Sequence, residues 1–517
     1  MNKIVAVCVG LLICAGICFA KMRAVSAGPF QLGRTLAPLS TVPVKTAEIS
    51  AFMPGKNMLF VVGDAKVMEV VDLNNPGLPK KIAEAPIPGN ASSVTVHGDL
   101  VAVSMLEDEE WKDGLVQVMR YADSLEVLGQ YRVCSQPDMI KFTPDGRNLL
   151  VACEGSPSED LSEDPEGGVA VLSVEKSDAG LWRNAGLTVA RFGHLDTNAL
   201  KSLGVRAPGT QGFLKSLEPE YITVSDDSRW AWVSLQENNA IARLDVIAKK
   251  VTDVFPLGFV DHSRKGFALD AVDNGQIEIK NYPLRGLRQP DGIAAFSAGG
   301  RHFVLTANEG APVNDYDVWS DEVKLPVLAE QGRLDKNVFT DALLLELRDL
   351  SVSGLERCDT GRERTSSGKC PYAYTFGSRS MSIFDGETGE LVWDSGEILE
   401  RVLAKIAPEY FNWNSKKGKP KMDKRSSDNG AEPENVTVGE VGMRRYAFVG
   451  LERTSGIAVF DITEPVSPKM VDYYLDPLDR GPEGVLFIPA DQSPLADQAL
   501  LVVGYEYSKT LTIYTVK

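Results

Sequence analysis

The stretch PENVTVGEVGMRRYAFVGLERTSGIAVFDI, residues 433–462, contains one structural unit in full. ENVTV (434–438) opens on an acid and alternates apolar with polar, as a half-buried strand does. RRYAFVGLE (444–452) is a second, more apolar strand that ends on an acid, and 455–462 is a third. Residues 469–475 supply a short outer strand. Val, Ile, Phe and Tyr dominate these runs, and no helical period links them.

The unit recurs along the chain, and an internal repeat of this length outranks other signals of fold. EISAF (48–52) precedes NMLFVVGD (57–64), and SSVTV (92–96) precedes LVAVSMLE (100–107). DMIKF (138–142) precedes NLLVACE (148–154), and EYITV (220–224) precedes RWAWVSLQE (229–237). DGIAA (291–295) precedes RHFVLTANE (301–309), and EGVLF (483–487) precedes QALLVVGYE (498–506). Third strands are expected at 66–73, 114–121, 167–174, 240–247, 378–385 and 509–516. Turns such as Pro144-Asp145-Gly146 supply hairpin chemistry.

Seven copies of a three- to four-stranded antiparallel unit predict an all-β fold, a single seven-bladed propeller. One such sheet cannot cover both of its faces, but seven stacked around an axis can. The last copy stops at its third strand. FQLGRTL (30–36) is expected to supply the missing outer strand and to close the ring, removing an exposed edge. A pair of sandwiches or two smaller propellers are the other arrangements open to the pattern. Two segments break the period: an insertion at 311–374 within blade five, and a segment at 396–430 between blades five and six. The second begins with an expected helix at 397–406 and carries the basic run KKGKPK (416–421), read as a solvated loop.

Residues 1–20 read as a signal peptide, with cleavage as late as 27, and 28–517 as the propeller. Lys3 supplies the basic start, and the apolar run 4–19 is short for a membrane span. A retained anchor is the alternative. The protein is therefore expected to be secreted, periplasmic or at the cell surface, with no membrane span after cleavage. The formal charge of −17 argues against nucleic acid as a partner and suits small cations or basic surfaces. Beyond the signal the chain keeps Cys134, Cys153, Cys358 and Cys370, an even number that suggests two disulfides in an exported protein. Local pairing, Cys134–Cys153 and Cys358–Cys370, is the simplest arrangement.

In a propeller blade, the start of the innermost strand and the end of the second lie on one face. Acids occupy both positions. Glu48, Asp138, Glu220, Asp291, Glu434 and Glu483 stand at inner-strand starts, with Ser92 in the remaining copy. Asp64, Glu107, Glu154, Glu237, Glu309, Glu452 and Glu506 stand at second-strand ends. A proline precedes five of the first group, at 137, 219, 290, 433 and 482. Two carboxylates ~6 Å apart repel by about 3 kcal/mol at an effective dielectric near 20. Some members must take up protons, pair with Lys215, Arg288, Arg379, Arg453, Arg480 or Lys509, or hold a divalent cation. Calcium, which takes six to eight oxygens in flexible geometry, fits such a rim better than zinc. The competing reading is that these acids bond backbone N–H groups and hold the blades together.

Two further oxygen-rich loops, Asp270-Ala271-Val272-Asp273-Asn274-Gly275 and the run with Asn314, Asp315, Asp317, Asp321 and Glu322, lack the full twelve-residue calcium-loop pattern and read as turns. Histidine is scarce: His97, His194, His262 and His302. His262 lies beside acids and reads as a surface residue. No H-E-x-x-H, G-x-S-x-G or P-loop occurs, which gives no footing to a zinc hydrolase or a serine triad.

Long stretches resemble the choice-of-anchor I family: QPDMIKFTPDGRNLLVACEGSPSED (136–160), LEPEYITVSDDSRWAWVSLQENNAIARLDV (217–246), LGFVDHS (257–263), QPDGIAAF (289–296), FGSRSMSIFD (376–385) and GAEPENVTVGEVGMRRYAFVGLER (430–453). That family is similar to the mesenchyme-specific cell-surface glycoprotein of sea-urchin skeleton-forming cells, and some bacterial members carry an alkaline-phosphatase label. The resemblance implies an exported or surface propeller with a link to calcium. The chain departs from the family pattern at Cys153, in a shortened Asp-rich stretch near Asp270, and in lacking a sorting motif after Lys517.

Three functions follow as expectations. The first is a calcium-binding surface or secreted propeller. The second is a metal-dependent phosphoesterase, with Arg288, Arg379 or Arg453 holding the phosphate of a phosphorylated small molecule. The third is a scaffold for proteins, glycans or other cell-surface components, using the blade-five insertion.

Overall fold

The computed structural model describes residues 29–176, 182–209, 212–315, 319–356, 365 and 368–517. The proposed signal peptide and Cys358 lie outside these residues. Among the described residues, each of the seven repeats forms its own antiparallel sheet, six with four strands and one with five. The first sheet runs Ile49–Met53, Met58–Val62, Val67–Asp72 and Lys80–Pro86 in sequential order. The second to fourth sheets repeat this plan, with first strands Asn90–His97, Pro137–Phe142 and Ile222–Val224. The fifth begins at Ile293–Ala298, the sixth at Pro433–Val441 and the seventh at Pro482–Ile488.

Strand alternation explains how the sheets pack. Each carries apolar residues on both faces, and each face meets the next repeat. Phe60 and Val62 of the first sheet pack with Val101 and Val103 of the second. Leu150 and Val171 of the third pack with Val233 and Leu244 of the fourth. Phe303 and Ile383 of the fifth meet Ala447 and Phe460 of the sixth. Leu500 and Val502 of the seventh return to Leu59 and Val61 of the first. The first strands also touch in order, each against the next, and Pro482–Ile488 lies against Ile49–Met53. No sheet closes on itself.

The N-terminal strand differs from expectation. The seventh sheet gains its outer strand from Leu36–Pro43, paired with Thr510–Val516, whereas Phe30–Gln31 adds a fifth strand to the sixth sheet. The shift follows from burial and one anchor. Leu36 and Val42 carry the apolar side chains that fill the seventh sheet. The carboxylate of buried Asp472 accepts from the backbone N–H groups of Gly33 and Leu36 and so fixes the chain where it passes between sheets.

The insertion in the fifth sheet shares a core with the chain that precedes that sheet, Leu325, Phe339, Leu347 and Val352 packing with Leu269, Tyr282 and Leu284. Ala373–Thr375 leaves it to run parallel to Leu284–Leu287. The expected helix in the later segment is Ile398–Ile406, with Leu399 and Leu403 turned into the fifth–sixth core. No helix among the described residues is long and apolar enough to cross a membrane.

Candidate functional site

The acids owe their position to a backbone device that recurs. The residue before the proline has positive φ at Gln136 (45°), Gln289 (39°), Glu432 (53°) and Gly481 (68°). The proline then pairs with the end of the second strand: Pro137 with Cys153, Pro433 with Leu451, Pro482 with Tyr505. Pairing resumes only at Ile140, Val436 and Val485. The acid falls in the gap, a bulge that takes it out of the ladder and re-aims its side chain. The second sheet has the same slip around Ser92, whose hydroxyl donates to Pro137 O and so ties that sheet to the third.

The bulges gather carboxylates from successive sheets. Ligand oxygens of Asp291, Glu309 and Glu434 lie within 4.8 Å of one another. So do those of Glu309, Glu432 and Glu452, and those of Glu452, Glu483 and Glu506. Glu309 and Glu452 thus link three triads into a chain. The middle triad contains its own cation: Arg453 Nε lies 2.8 Å from Glu432 Oε2, and its Nη1 donates to Glu452. Arg425 also pairs with Glu432, and the Tyr507 hydroxyl donates to Glu452.

Elsewhere the acids lack such compensation. Glu220 and Glu237 pair carboxyl to carboxyl, and the buried Oε2 of each receives no N–H or hydroxyl donor. The buried Oε2 of Glu434 likewise receives no N–H or hydroxyl donor, and its side chain pairs with the carboxyl of Asp291. Glu220 is 8% and Glu434 7% exposed, so water does not make good the loss. Gln136 Nε2 donates to Glu154 and Gln236 Nε2 to Glu309, each at 2.6 Å. Glu48 accepts from Asp64 N at 3.1 Å, a backbone bond within its own sheet rather than to a neighbouring one.

Burial is the main influence that raises the pKa values of these acids, and neighbouring carboxylates add to it. Both effects push Glu154, Glu220, Glu434, Glu452 and Glu483 well above the usual range. Glu48 is raised to about 7, Asp138 to about 7 and Glu309 to about 8, again with burial first. Asp291 is raised as well, by burial, against a lowering hydrogen bond with Glu434.

A cavity of about 230 Å³ lies on this face, lined by Glu48, Asp64, Asp138, Asp291 and Glu483 together with Tyr221 and Asn435. The Tyr221 hydroxyl joins Asn435 across it, from the fourth sheet to the sixth. Both residues follow directly after an acid of the repeat, Glu220 and Glu434.

Other residues from the sequence reading stand apart. Glu107 pairs with Arg132 at 2.8 Å. Arg288 is buried on Asp394, Ser382 and Leu257 O, and Arg379 on Glu400 and the carbonyls of Asp270, Ser426 and Asp428. Of the three arginines considered for phosphate, Arg453 alone lies among the acids. Lys215 pairs with Asp164, and Arg480 donates to Ser415 O and Tyr507 O. The Asp270 loop is structural: Asp270 accepts from Val272 N and Glu278 N, and Asp273 from Ser427 N. Asp321 is buried on Arg206, and Asn314 accepts from Ser320. Asp317 lies outside the described residues.

His262 is a correction. It is 3% exposed, its Nδ1 bonds to Phe267 O, and burial lowers its pKa to about 4. Phe267 and the close approach of the chain at Gly286 enclose a position that looks exposed in the sequence. Cys134 and Cys153 are joined. Cys370 is disulfide-bonded, and the expected partner, Cys358, lies outside the described residues.

Glu432, Gln136, Gln236, Tyr221 and Asn435 were not singled out from the sequence. A signal for two of them was present, since Gln136 and Glu432 each directly precede a Pro-acid pair.

Comparison with known proteins adds a lineage. The mesenchyme-specific cell surface glycoprotein of Strongylocentrotus purpuratus is 31% identical over 304 residues, 52% of this chain and 38% of that protein. The chain thus spans well under half of the glycoprotein's length. Gigasin-3a of Magallana gigas is 26% identical over 223 residues, 38% of this chain and 70% of that one. Among solved structures, a chain of Kuenenia stuttgartiensis hydrazine synthase aligns with 91% of this chain and 96% of its own, at 11% identity and a TM-score of 0.46. The family model of the choice-of-anchor I domain matches residues 48–465, and with that span the chain belongs to the choice-of-anchor I family.

Proposed function

We propose that this protein is an extracellular or surface-associated seven-bladed propeller that binds a divalent cation, calcium by its chemistry, at the acidic face. The ring reading rests on the apolar contacts that pass from sheet to sheet and return from the seventh to the first. Surface placement rests on family membership and on the glycoprotein's printed name.

The observation that carries the cation is the buried Oε2 of Glu434, which receives no N–H or hydroxyl donor and faces other carboxyls in the Asp291–Glu309–Glu434 triad. A buried carboxylate without a donor is costly, and a divalent ion supplies the missing charge for several at once. Carboxylate oxygen in an adaptable setting favours calcium over zinc. The middle triad is already served by Arg453, so the Asp291 triad is the stronger position. Binding would oppose the upward push that burial and neighbouring carboxylates exert on these acids.

The phosphoesterase reading is weaker. Arg288 and Arg379 are committed away from the acids, and Arg453 is held by Glu432 and Glu452.

Calcium titration calorimetry on the mature chain tests the proposal, beside a variant carrying Glu220→Gln, Glu434→Gln and Glu483→Gln. Both are assayed with p-nitrophenyl phosphate. Binding by the parent that the variant loses, without hydrolysis, is the expected result. No binding by the parent would overturn it, and calcium-dependent turnover would favour the phosphoesterase.

A further inference from the structure

Aligning the seven inner strands on their opening acid places Lys141 at the fourth position of the third strand. The equivalent residues are Ala51, Thr95, Thr223, Ala294, Thr437 and Leu486, none of them charged. Lys141 is thus the single charge at its level. It lies three residues beyond Asp138, about 10 Å along a strand.

Three observations make this lysine unusual. Its strand, Pro137–Phe142, is covered on one side by Asn90–His97 and on the other by Ile222–Val224. Its side chain keeps a solvent-accessible surface even though protein atoms crowd closely around its amine. With both faces covered, the water it meets is reached through the free edge of the innermost strand, which borders the axis of the proposed ring. Burial by the surrounding protein is the sole influence on its amine, whose pKa it lowers, and no acid is near enough to oppose that effect. The chain has 71 acids for 54 Lys and Arg, yet none of those acids acts on the Lys141 amine.

The surroundings suit a small ligand. Small and hydroxyl side chains share the level. Two of the hydroxyls already stitch neighbouring inner strands: Thr95 accepts from Phe142 N, and Thr223 from Ala295 N. The Tyr221–Asn435 bridge lines the same cavity as the carboxylates. An anion that enters from the opposite end does not have to cross the acidic face.

We propose that Lys141 makes the inner passage a binding position for a small oxyanion, a carboxylate or a phosphate. This depends on the ring arrangement proposed above and is independent of cation binding at the acids. An anion there would restore the charge that burial disfavours on the amine.

The test uses the mature full-length protein at low ionic strength, with inorganic phosphate and acetate titrated separately by calorimetry into the parent, Lys141→Met and Lys141→Arg. One of the two anions is expected to bind the parent at one site per chain. Affinity should fall by about tenfold or more in Lys141→Met and be largely kept in Lys141→Arg. The anion that binds identifies the ligand class. In parallel, the parent is acetylated with acetic anhydride and its lysines are mapped by mass spectrometry. The binding anion should protect Lys141 selectively. Equal affinity in the parent and Lys141→Met, no binding by the parent, or acetylation of Lys141 unaltered by either anion would overturn the proposal. Calcium titration of Lys141→Met separates the two sites: unchanged calcium binding leaves the cation proposal standing whatever the anion result.

Discussion

The Tyr221 hydroxyl lies 3.3 Å from Asn435 Oδ1 and thereby joins the fourth sheet to the sixth, without passing through the fifth. Asp138, Asp291 and Glu483, from three other sheets, all act on the same phenol. One side chain thus reaches the middle of the acidic face. Tyr221→Phe removes the hydroxyl and leaves the Asn435 amide short of a partner. The variant should unfold at lower urea, with a loss of about 1 kcal/mol. An unchanged urea midpoint would show that water replaces the bond.

Arg453 is the internal counter-ion of Glu432 and Glu452. Arg453→Met leaves both glutamates buried, with Arg425 as the remaining partner of Glu432. Removing one member of a buried ion pair costs about 3–5 kcal/mol, since the other charge is left without its partner. The loss should appear in chemical denaturation without calcium at neutral pH. With calcium added, part of it should be recovered, and calorimetry should count more bound calcium per chain than in the parent. Equal denaturation of variant and parent would remove Arg453 from this role.

The raised acids set the sign of the pH dependence. Glu48 and Asp138, at about 7, and Glu309, at about 8, hold protons in the folded chain that an unfolded chain, with carboxyl pKa about 4, releases. The folded state therefore binds more protons between these limits, and stability falls as pH rises. Their contribution is complete below the unfolded value and is lost as pH passes through 7 to 8. Without divalent cations, the melting temperature should decline from pH 5 to pH 8.5. A flat or rising profile would contradict the protonated state of these acids. Calcium should shallow the decline, because it competes with protons for the same oxygens.

Leu36–Pro43 completes the seventh sheet from the far end of the chain. Starting the chain at residue 44 would expose the edge of Thr510–Val516 and uncover Leu511 and Ile513, which are buried. Such an edge invites pairing with another chain. The shortened protein should be cut faster by protease near its C-terminus and should associate on size-exclusion chromatography. Restoring the strand as a separate peptide should reverse both effects. Unaltered proteolysis would show that the strand adds no stability.

The repeat itself was legible because strand alternation and turn residues are local properties. The seven sheets, the helix at Ile398–Ile406 and the alignment of acids all follow from them. The N-terminal strand was placed six residues early. FQLGRTL and LAPLSTVP are both compatible with an outer strand, and the Asp472 anchor that separates them lies more than 430 residues away. The role of Glu432 escaped notice because its acid stands before the proline, outside the aligned positions, and turns inward through a positive φ.

The sequence by itself determined an acid at the start of six inner strands and at the end of seven second strands, since a repeat copies chemistry along with structure. It also determined that Lys141 is the one charge at its level. Tertiary structure alone decided which acids are neutralised and which are left without an N–H or hydroxyl donor. Arg453 lies beside Glu452 in sequence, but its bond to Glu432, the commitment of Arg288 and Arg379 elsewhere, and the sealed oxygens of Glu220 and Glu434 depend on which sheets meet. The physical reason is that charge compensation acts over a few ångströms of space, and in this chain those ångströms separate residues from different sheets.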